Sequence, residues 1–415
     1  MESSLTRSAE GTSDSLWQSI VLGMLQKMNR GKMVITLPSG YAVHIGDGMD
    51  PYHAEMTIRD MDFFKRCVMY GDIGFGETYV DGLWDTPNIT KVISWFLFNV
   101  DKAPTISGNA INDWAVNVLK FANRLSNIGK LNTKLGSKKN ISDHYDLNNE
   151  FFSMFLDSTM TYSAAYFKRS DMTLEEAQYE KYDALSRRVR LKSTDHVLEI
   201  GTGWGGNAIY MAKNFGCRVT TTTISAEQHK LAVERVANEG LSDRITVLLK
   251  DYRDLEGTFD KIVSIEMLEA VGHKFLKTYF AKVYSLLKKD GLLGIQVITS
   301  PDSRYANLKK GVDWIQKHIF PGSLIPSVAA INQAVNETGE MTLVDLQDLG
   351  KDYATTLRYW YDAFNANWPQ IKSIGFDDRF RRKWNYYLCY CEAAFDMRNI
   401  NVMQLVYSRP NNLNW

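Results

Sequence analysis

The sequence predicts an α/β protein: a mainly parallel sheet with helices on both faces, preceded by a smaller α+β domain. Three observations predict it. Strand-like runs rich in β-branched residues recur at 197–200, 218–222, 245–249, 261–265 and 291–298, separated by helical stretches, the alternation that parallel crossovers require. The first of these runs leads straight into a glycine turn, Gly201-Thr202-Gly203-Trp204-Gly205-Gly206. The stretch ahead of residue 125 reads differently, as a helix, a hairpin and a glycine-rich turn.

Taken in order, residues 1–14 are polar and read as a disordered tail. Leu16, Trp17, Ile20, Val21, Met24, Leu25 and Met28 then fall at helical spacing, with Ser13 or Asp14 placed to cap. The runs 33–37 and 41–45 flank Pro38-Ser39-Gly40 and read as a hairpin. The segment 71–77 reads as a glycine-rich turn. Together these give an α+β domain at 15–125. Between Asn117 and Ser142 there are six Lys or Arg and no acidic residue, with Trp114, Val118, Phe121, Leu125 and Ile128 interleaved. Residues 126–142 are therefore a basic linker, suited either to a membrane surface or to a solvated helix packed on a neighbouring domain. Residues 143–415 hold the sheet and the site. The insertion 301–345, with Trp314, Ile315, Ile319, Phe320, Leu324 and Ile325, is expected to cap that site.

Bulk properties exclude several classes. Lys plus Arg equals Asp plus Glu at 48 each, so no overall charge draws the chain to nucleic acid. Hydrophobic content of 45% and charged content of 23% are those of a globular protein. The most apolar run, 92–100, is far short of the ~20 residues that span a bilayer. Cys67, Cys217, Cys389 and Cys391 show no metal-ligand spacing, and no metal is expected. With no apolar leader visible, a cytoplasmic protein is expected.

The glycine turn sits between a strand and a helix start, where unpaired N–H groups and close backbone approach favour a nucleotide. A dinucleotide site also wants a carboxylate at the tip of the second strand. Here that tip is Thr220-Thr221-Thr222-Thr223, and the carboxylate is instead Glu199, just before the turn. A negative side chain there suits a sulfonium ligand without pyrophosphate. The reading is a Rossmann-like fold for S-adenosylmethionine, with NAD as the rival.

The segments 144–152, 155–157, 160–163, 264–273 and 386–395, with the glycine turn, carry a resemblance from about residue 30 to residue 409. The chain resembles the cyclopropane fatty acid synthases. The resemblance implies an S-adenosylmethionine-dependent methyltransferase domain at 143–415 and a lipid-engaging domain at 15–125. It also implies an enzyme peripheral to the membrane that acts on the unsaturated acyl chain of a phospholipid, in a possible homodimer. Tyr162, Ser163, Gly201, Gly203, Thr223, Gln228 and Tyr252 match cofactor contacts. The base it implies is a bound bicarbonate, cradled by Glu269, the backbone N–H of Ile298 and Tyr353.

Two departures bear on that cradle. Ala164 stands where many members have Cys, and Gln296 where many have His. Gln296 donates a hydrogen bond but does not titrate. Three alternatives stay open: a C-methyltransferase making methyl- or methylene-branched fatty acids, a small-molecule methyltransferase on the same fold, and a lipid-binding protein without turnover.

Overall fold

The computed structural model describes residues 15–100, 148–413 and 415. The tail at 1–14, the basic linker at 126–142 and the end of the 15–125 stretch lie outside the described residues. The chain divides into two compact units that interleave in sequence. One combines the N-terminal segment with Gly311–Ile319 and Trp368–Asn399; the other holds the rest.

In the first unit, residues 15–25 are helical, and the expected hairpin forms from β1 (Lys32–Thr36) and β2 (Ala42–Ile45), paired antiparallel. Strand β3 (His53–Ile58) runs parallel to β1, and β4 (Trp84–Asp85) closes the sheet in the order β2-β1-β3-β4. Burial alternates strictly along β3, as a sheet with one buried face requires. Helix α1 (Asp62–Val80) runs through 71–77, where a turn is expected from the glycines. Gly71 supplies only a kink, at φ 59 and ψ −133. The other glycines are contact sites. A Cβ on Gly76 would meet Trp314 Cδ1 at 2.5 Å and Tyr386 Cε1 at 2.8 Å. Helix α2 (Ile89–Phe98) is capped by Asn88, which accepts from the Lys91 N–H.

Trp314 and Tyr386 explain why the two later segments return to this unit. Trp314 is fully buried, 4.7 Å from the Tyr386 ring. On the helix Asp378–Asp396, Arg382 donates to the carbonyls of Tyr79 and Trp84. Sequence reading put both segments with 143–415. It also set Trp314, Ile315 and Ile319 over the site, but they pack in the first unit.

The second unit is a seven-stranded sheet in the order β10-β11-β9-β8-β5-β6-β7. The five strands expected from sequence are β5 (His196–Ile200), β6 (Arg218–Thr223), β7 (Ile245–Leu249), β8 (Phe259–Ile265) and β9 (Leu287–Thr299), all parallel to one another. Sequence reading missed β10 (Thr342–Asp348) and β11 (Asn401–Ser408), which add antiparallel at one side. Helices α3 (Leu174–Arg188), α4 (Gly206–Phe215) and α5 (Ala226–Asn238) share one apolar cluster with Val197 and Val219. Helices α6 (Leu276–Leu286) and α7 (Val328–Thr338) share another with Leu198 and Ile200. Successive residues of β5 therefore face opposite layers, and the sheet is covered on both faces. Chain order reverses between β5 and β8, so the crevice at their carboxyl ends is where such sheets hold ligands.

Gly76→Ala is expected to lower stability by about 1–3 kcal/mol, the usual cost of overpacking, read from chemical denaturation. Gly23→Ala, with nothing within 4 Å of its Cβ, is expected to be neutral or to stabilise by about 0.5–1 kcal/mol.

Candidate active site

The glycine turn leaves β5 with positive φ at Gly201 (104°), Gly203 (51°) and Gly205 (88°), a backbone that side chains with a Cβ resist. Its mouth is pinned to β6: the N–H groups of Gly201 and Thr202 both donate to the Thr222 carbonyl, at 3.1 and 3.0 Å. Glu199 lies beneath, 2% exposed. One carboxylate oxygen accepts from Asn207 Nδ2 at 2.8 Å and the other from Thr221 Oγ1 at 2.6 Å. Burial pushes its carboxyl up to about 7, against the pull of Thr221, Asn207 and Lys181. Glu199 thus ties β5, β6 and the start of α4 together. With both oxygens engaged by protein, it braces the turn rather than reaching into the crevice.

The other residues expected at the cofactor follow, two groups of them at successive strand ends. After β6, Thr223 Oγ1 donates to Gln228 Oε1 at 2.9 Å, and Ser225 caps α5 through the Gln228 N–H. After β7, Tyr252 sits edge-on to Tyr279 at 5.4 Å, its phenol raised to about 12 by burial. Tyr162 packs against Phe152 at 5.3 Å and Trp360 at 5.0 Å. Ser163 is held from α3: its carbonyl accepts from Gln178 at 3.1 Å and its hydroxyl from Lys181 Nζ at 2.8 Å.

Two carboxylates emerge after β8. Glu266 takes the left-handed backbone at φ 46°. Its Oε1 accepts from the Ala164 N–H at 2.9 Å and from Gln296 Nε2 at 2.8 Å, and the Tyr353 hydroxyl hydrogen-bonds to the same carboxylate. Gln296 is itself fixed, since its Nε2 also donates to the Ala164 carbonyl and its Oε1 accepts from Gln404. Burial raises the Glu266 carboxyl, while Gln296, Lys181, Ala164 and Tyr353 pull it down. Glu269, on a single 3-10 turn, accepts from the Ile298 N–H at 2.5 Å. Its carboxyl is pushed from 4.5 up to about 8, first by burial and then by the charge of Glu266. Its second oxygen, Oε2, is buried and has no hydrogen-bond partner among the described residues. From the 301–345 insertion, the Leu324 N–H donates to the Glu269 carbonyl at 2.9 Å.

All five residues expected around the anion are therefore assembled, but about two carboxylates. Ala164, Gln296 and Tyr353 serve Glu266, and Ile298 serves Glu269. The sequence puts Glu266 among the strand-end residues near the ligand crevice without giving it a chemical role, and gives none to Lys181. For Glu266 the signal was its place at a strand end three residues before Glu269. For Lys181 there was none, because it lies on an otherwise ordinary amphipathic helix. Its amine is fully buried, and burial draws it down to about 7 against the attraction of Glu266, Asp157 and Glu199.

The sequence model of the family described as mycolic acid cyclopropane synthetase matches residues 133–405. The chain belongs to this family. Cyclopropane-fatty-acyl-phospholipid synthase of Escherichia coli is 41% identical over 362 residues, 86% of this chain and 88% of that protein. Tuberculostearic acid methyltransferase UfaA1 of Mycobacterium tuberculosis is 35% identical, over 86% of this chain and 83% of its own. A crystal structure of mycolic acid cyclopropane synthase CmaA1 complexed with SAH and CTAB superposes with a TM-score of 0.60 at 30% identity, over 66% of this chain and 98% of that one. The synthetase fold is thus that of S-adenosylmethionine-dependent methyltransferases, and this member is one of them. Its glycine turn fits the cofactor, with positive φ where a backbone must approach a ligand. The donor set does not fit a bicarbonate ion. The N–H groups of Ala164 and Ile298, the Gln296 amide and the Tyr353 hydroxyl already serve protein carboxylates, and a further anion would face both of them.

Gly201→Ala, strained at φ 104° and 3.3 Å from Met267 Cβ, is expected to weaken S-adenosylmethionine binding about tenfold or more by calorimetry. Glu269 has its folded pKa raised from 4.5 to about 8, so the native state keeps a proton that the unfolded chain releases. The stability it contributes is present at low pH and is lost as pH climbs through that window. In urea titrations, Glu269→Gln is expected to flatten the fall in stability between about pH 5 and 8.

Proposed function

We propose that this synthetase transfers a methylene group from S-adenosylmethionine to the cis double bond of an unsaturated phospholipid acyl chain, forming a cyclopropane ring. One observation carries the reading: the glycine turn after β5 and the carboxylate pair after β8 lie on hydrogen-bonded neighbouring strands, so methyl donor and proton acceptor meet in one crevice. The family and the length of the match to the E. coli synthase support the substrate class.

The cofactor supplies an electrophilic methyl group on a sulfonium. The chain's residues do the rest. An alkene is a weak nucleophile, so holding it in line and dry supplies much of the rate. Attack leaves positive charge on the acyl chain, and aromatic faces favour cations; Tyr162, Phe152 and Trp360 offer such faces beside Ser163. Gln296 and Tyr353 orient a carboxylate and do not themselves exchange the proton. Glu269, protonated near neutrality, keeps the pair from carrying two negative charges. The bicarbonate that the resemblance implies takes no part.

Among the described residues, no helix is long and apolar enough to cross a membrane. Peripheral association is part of this reading, supported by the six basic residues of 117–142, as is lipid engagement by the 15–125 stretch. A homodimer rests on the family resemblance. A second reading, a methyl- or methylene-branched product, is favoured by Gln296 standing where a titratable side chain is common: the same cation losing a different proton gives that chain.

The deciding test is incubation with S-adenosylmethionine and vesicles of cis-unsaturated phospholipid, followed by mass and proton NMR analysis of the acyl chains. One added CH2 with high-field cyclopropane protons is expected; olefinic protons at the same mass would establish the branched product. Tyr353→Phe, which removes one hydrogen bond to Glu266, is expected to lower kcat about tenfold with little change in cofactor affinity.

A further inference from the structure

We propose that the carboxylate of Glu266 is the general base of this enzyme, an internal group standing where an exogenous anion would otherwise be bound. The inference rests on the reaction proposed above and names the group that completes it.

Three observations converge. First, Glu266 collects the donors of an anion site. The Ala164 N–H, the Gln296 amide and the Tyr353 hydroxyl all meet its carboxylate. They come from three separate parts of the chain: the loop before α3, strand β9, and the helix Gly350–Ala366. A carboxylate and a bicarbonate offer the same planar pair of oxygens, so one set of donors serves either but not both. Second, Gln296 is held in one orientation. With Gln404 donating to its Oε1 and the Ala164 carbonyl accepting from its Nε2, its amide N–H has to point at Glu266. The uncharged amide that replaces a titratable residue is therefore matched to a permanent carboxylate. Third, the backbone of Glu266 is left-handed, φ 46°, a conformation a residue with a long side chain avoids unless its surroundings impose it. Strain of this kind gathers where a side chain must be aimed.

The neighbouring carboxylate completes the assignment. Glu266 has an amide, a phenol and a backbone N–H that favour its charged form, whereas Glu269 has only backbone N–H groups, that of Ile298 and its own, and its Oε2 has no hydrogen-bond partner among the described residues. Of two close carboxylates, the better-solvated one ionises and the other keeps its proton. Lys181, buried on α3, adds positive potential to Glu266.

The step balances without a further reactant. The alkene π pair forms a bond to the methyl carbon as the sulfonium S–C bond breaks and its pair returns to sulfur. Glu266 then takes a proton from the transferred methyl, and the freed C–H pair closes the ring. The proton leaves to solvent before the next turnover, and nothing is oxidised or reduced.

The test compares initial rates of cyclopropane formation by the full-length enzyme on cis-unsaturated phospholipid vesicles, in buffer purged of carbon dioxide and in the same buffer with added bicarbonate. S-Adenosylmethionine binding is measured in parallel for every protein. The parent enzyme is expected to run within about twofold of the same rate in both. Glu266→Gln is expected to bind the cofactor normally and to lose about 100-fold or more in kcat, the scale of a missing general base. Glu266→Gly suits the left-handed backbone. It is expected to be as slow in purged buffer and to recover about tenfold or more on addition of bicarbonate or formate. A parent rate that collapses on purging and returns with bicarbonate would overturn the proposal, as would near-parental turnover by Glu266→Gln. Absence of ring product from the parent in both buffers, with cofactor bound, would overturn the reaction itself and this base with it.

Discussion

Two carboxylates three residues apart, sunk together in a poorly solvated crevice, set the conditions for everything around them. In such surroundings both cannot be ionised at neutral pH, and the molecule resolves the conflict by unequal solvation. Glu266 receives a backbone N–H, a side-chain amide and a phenol, with a lysine in electrostatic reach. Glu269 receives only backbone N–H groups, that of Ile298 and its own. That asymmetry favours placing the charge on Glu266 rather than on Glu269 where the two compete. It also explains why Gln296 is so tightly tethered: an amide free to flip would present its oxygen to a carboxylate.

The same logic recurs one strand away. Glu199 is buried too, but its partners are Thr221 and Asn207, both within the scaffold. Its hydrogen bonds span the end of β5, the adjoining strand and the helix behind the turn, so its charge is spent on holding the glycine loop in shape. A carboxylate at a strand end is therefore not by its position a ligand contact. What distinguishes Glu199 from Glu266 is where the donors come from: neighbours in the scaffold for one, three distant elements converging for the other.

Much of this was legible in the sequence. The five parallel strands declared themselves by runs rich in β-branched residues between helical stretches, and the glycine turn by its own residues, because both are local patterns. The long-range features were not. Strands β10 and β11 carry polar residues such as Asp345, Gln347 and Gln404, which blur the strand signal, and their pairing depends on partners far away in the chain. Gly76 looked like punctuation; in the fold it makes room for side chains that arrive more than 200 residues later, Trp314 and Tyr386. Lys181 could not be told from a solvated helix lysine, since burial is a property of the packed layers and not of the helix pattern. Ala164, Gln296, Ile298, Glu269 and Tyr353, which the structure brings together around Glu266 and Glu269, were picked out because motifs carried them. Glu266 was given no chemical role because that role lies in the convergence of other residues upon it.

The interleaving of the two units bears on how the chain is made. The N-terminal unit needs the helix Asp378–Asp396 to cover its aromatic residues. The sheet of the second unit needs β11, at Asn401–Ser408, slotted between β9 and β10. During synthesis neither unit has its full complement of partners until Asp378–Asp396 and Asn401–Ser408 have left the ribosome. The usual order, in which an N-terminal domain folds while the rest is still being translated, is closed to this protein. Its nascent form must shield Trp84, Trp95 and the edge of β9 over the roughly 300 residues that separate the early aromatic residues from the helix that covers them.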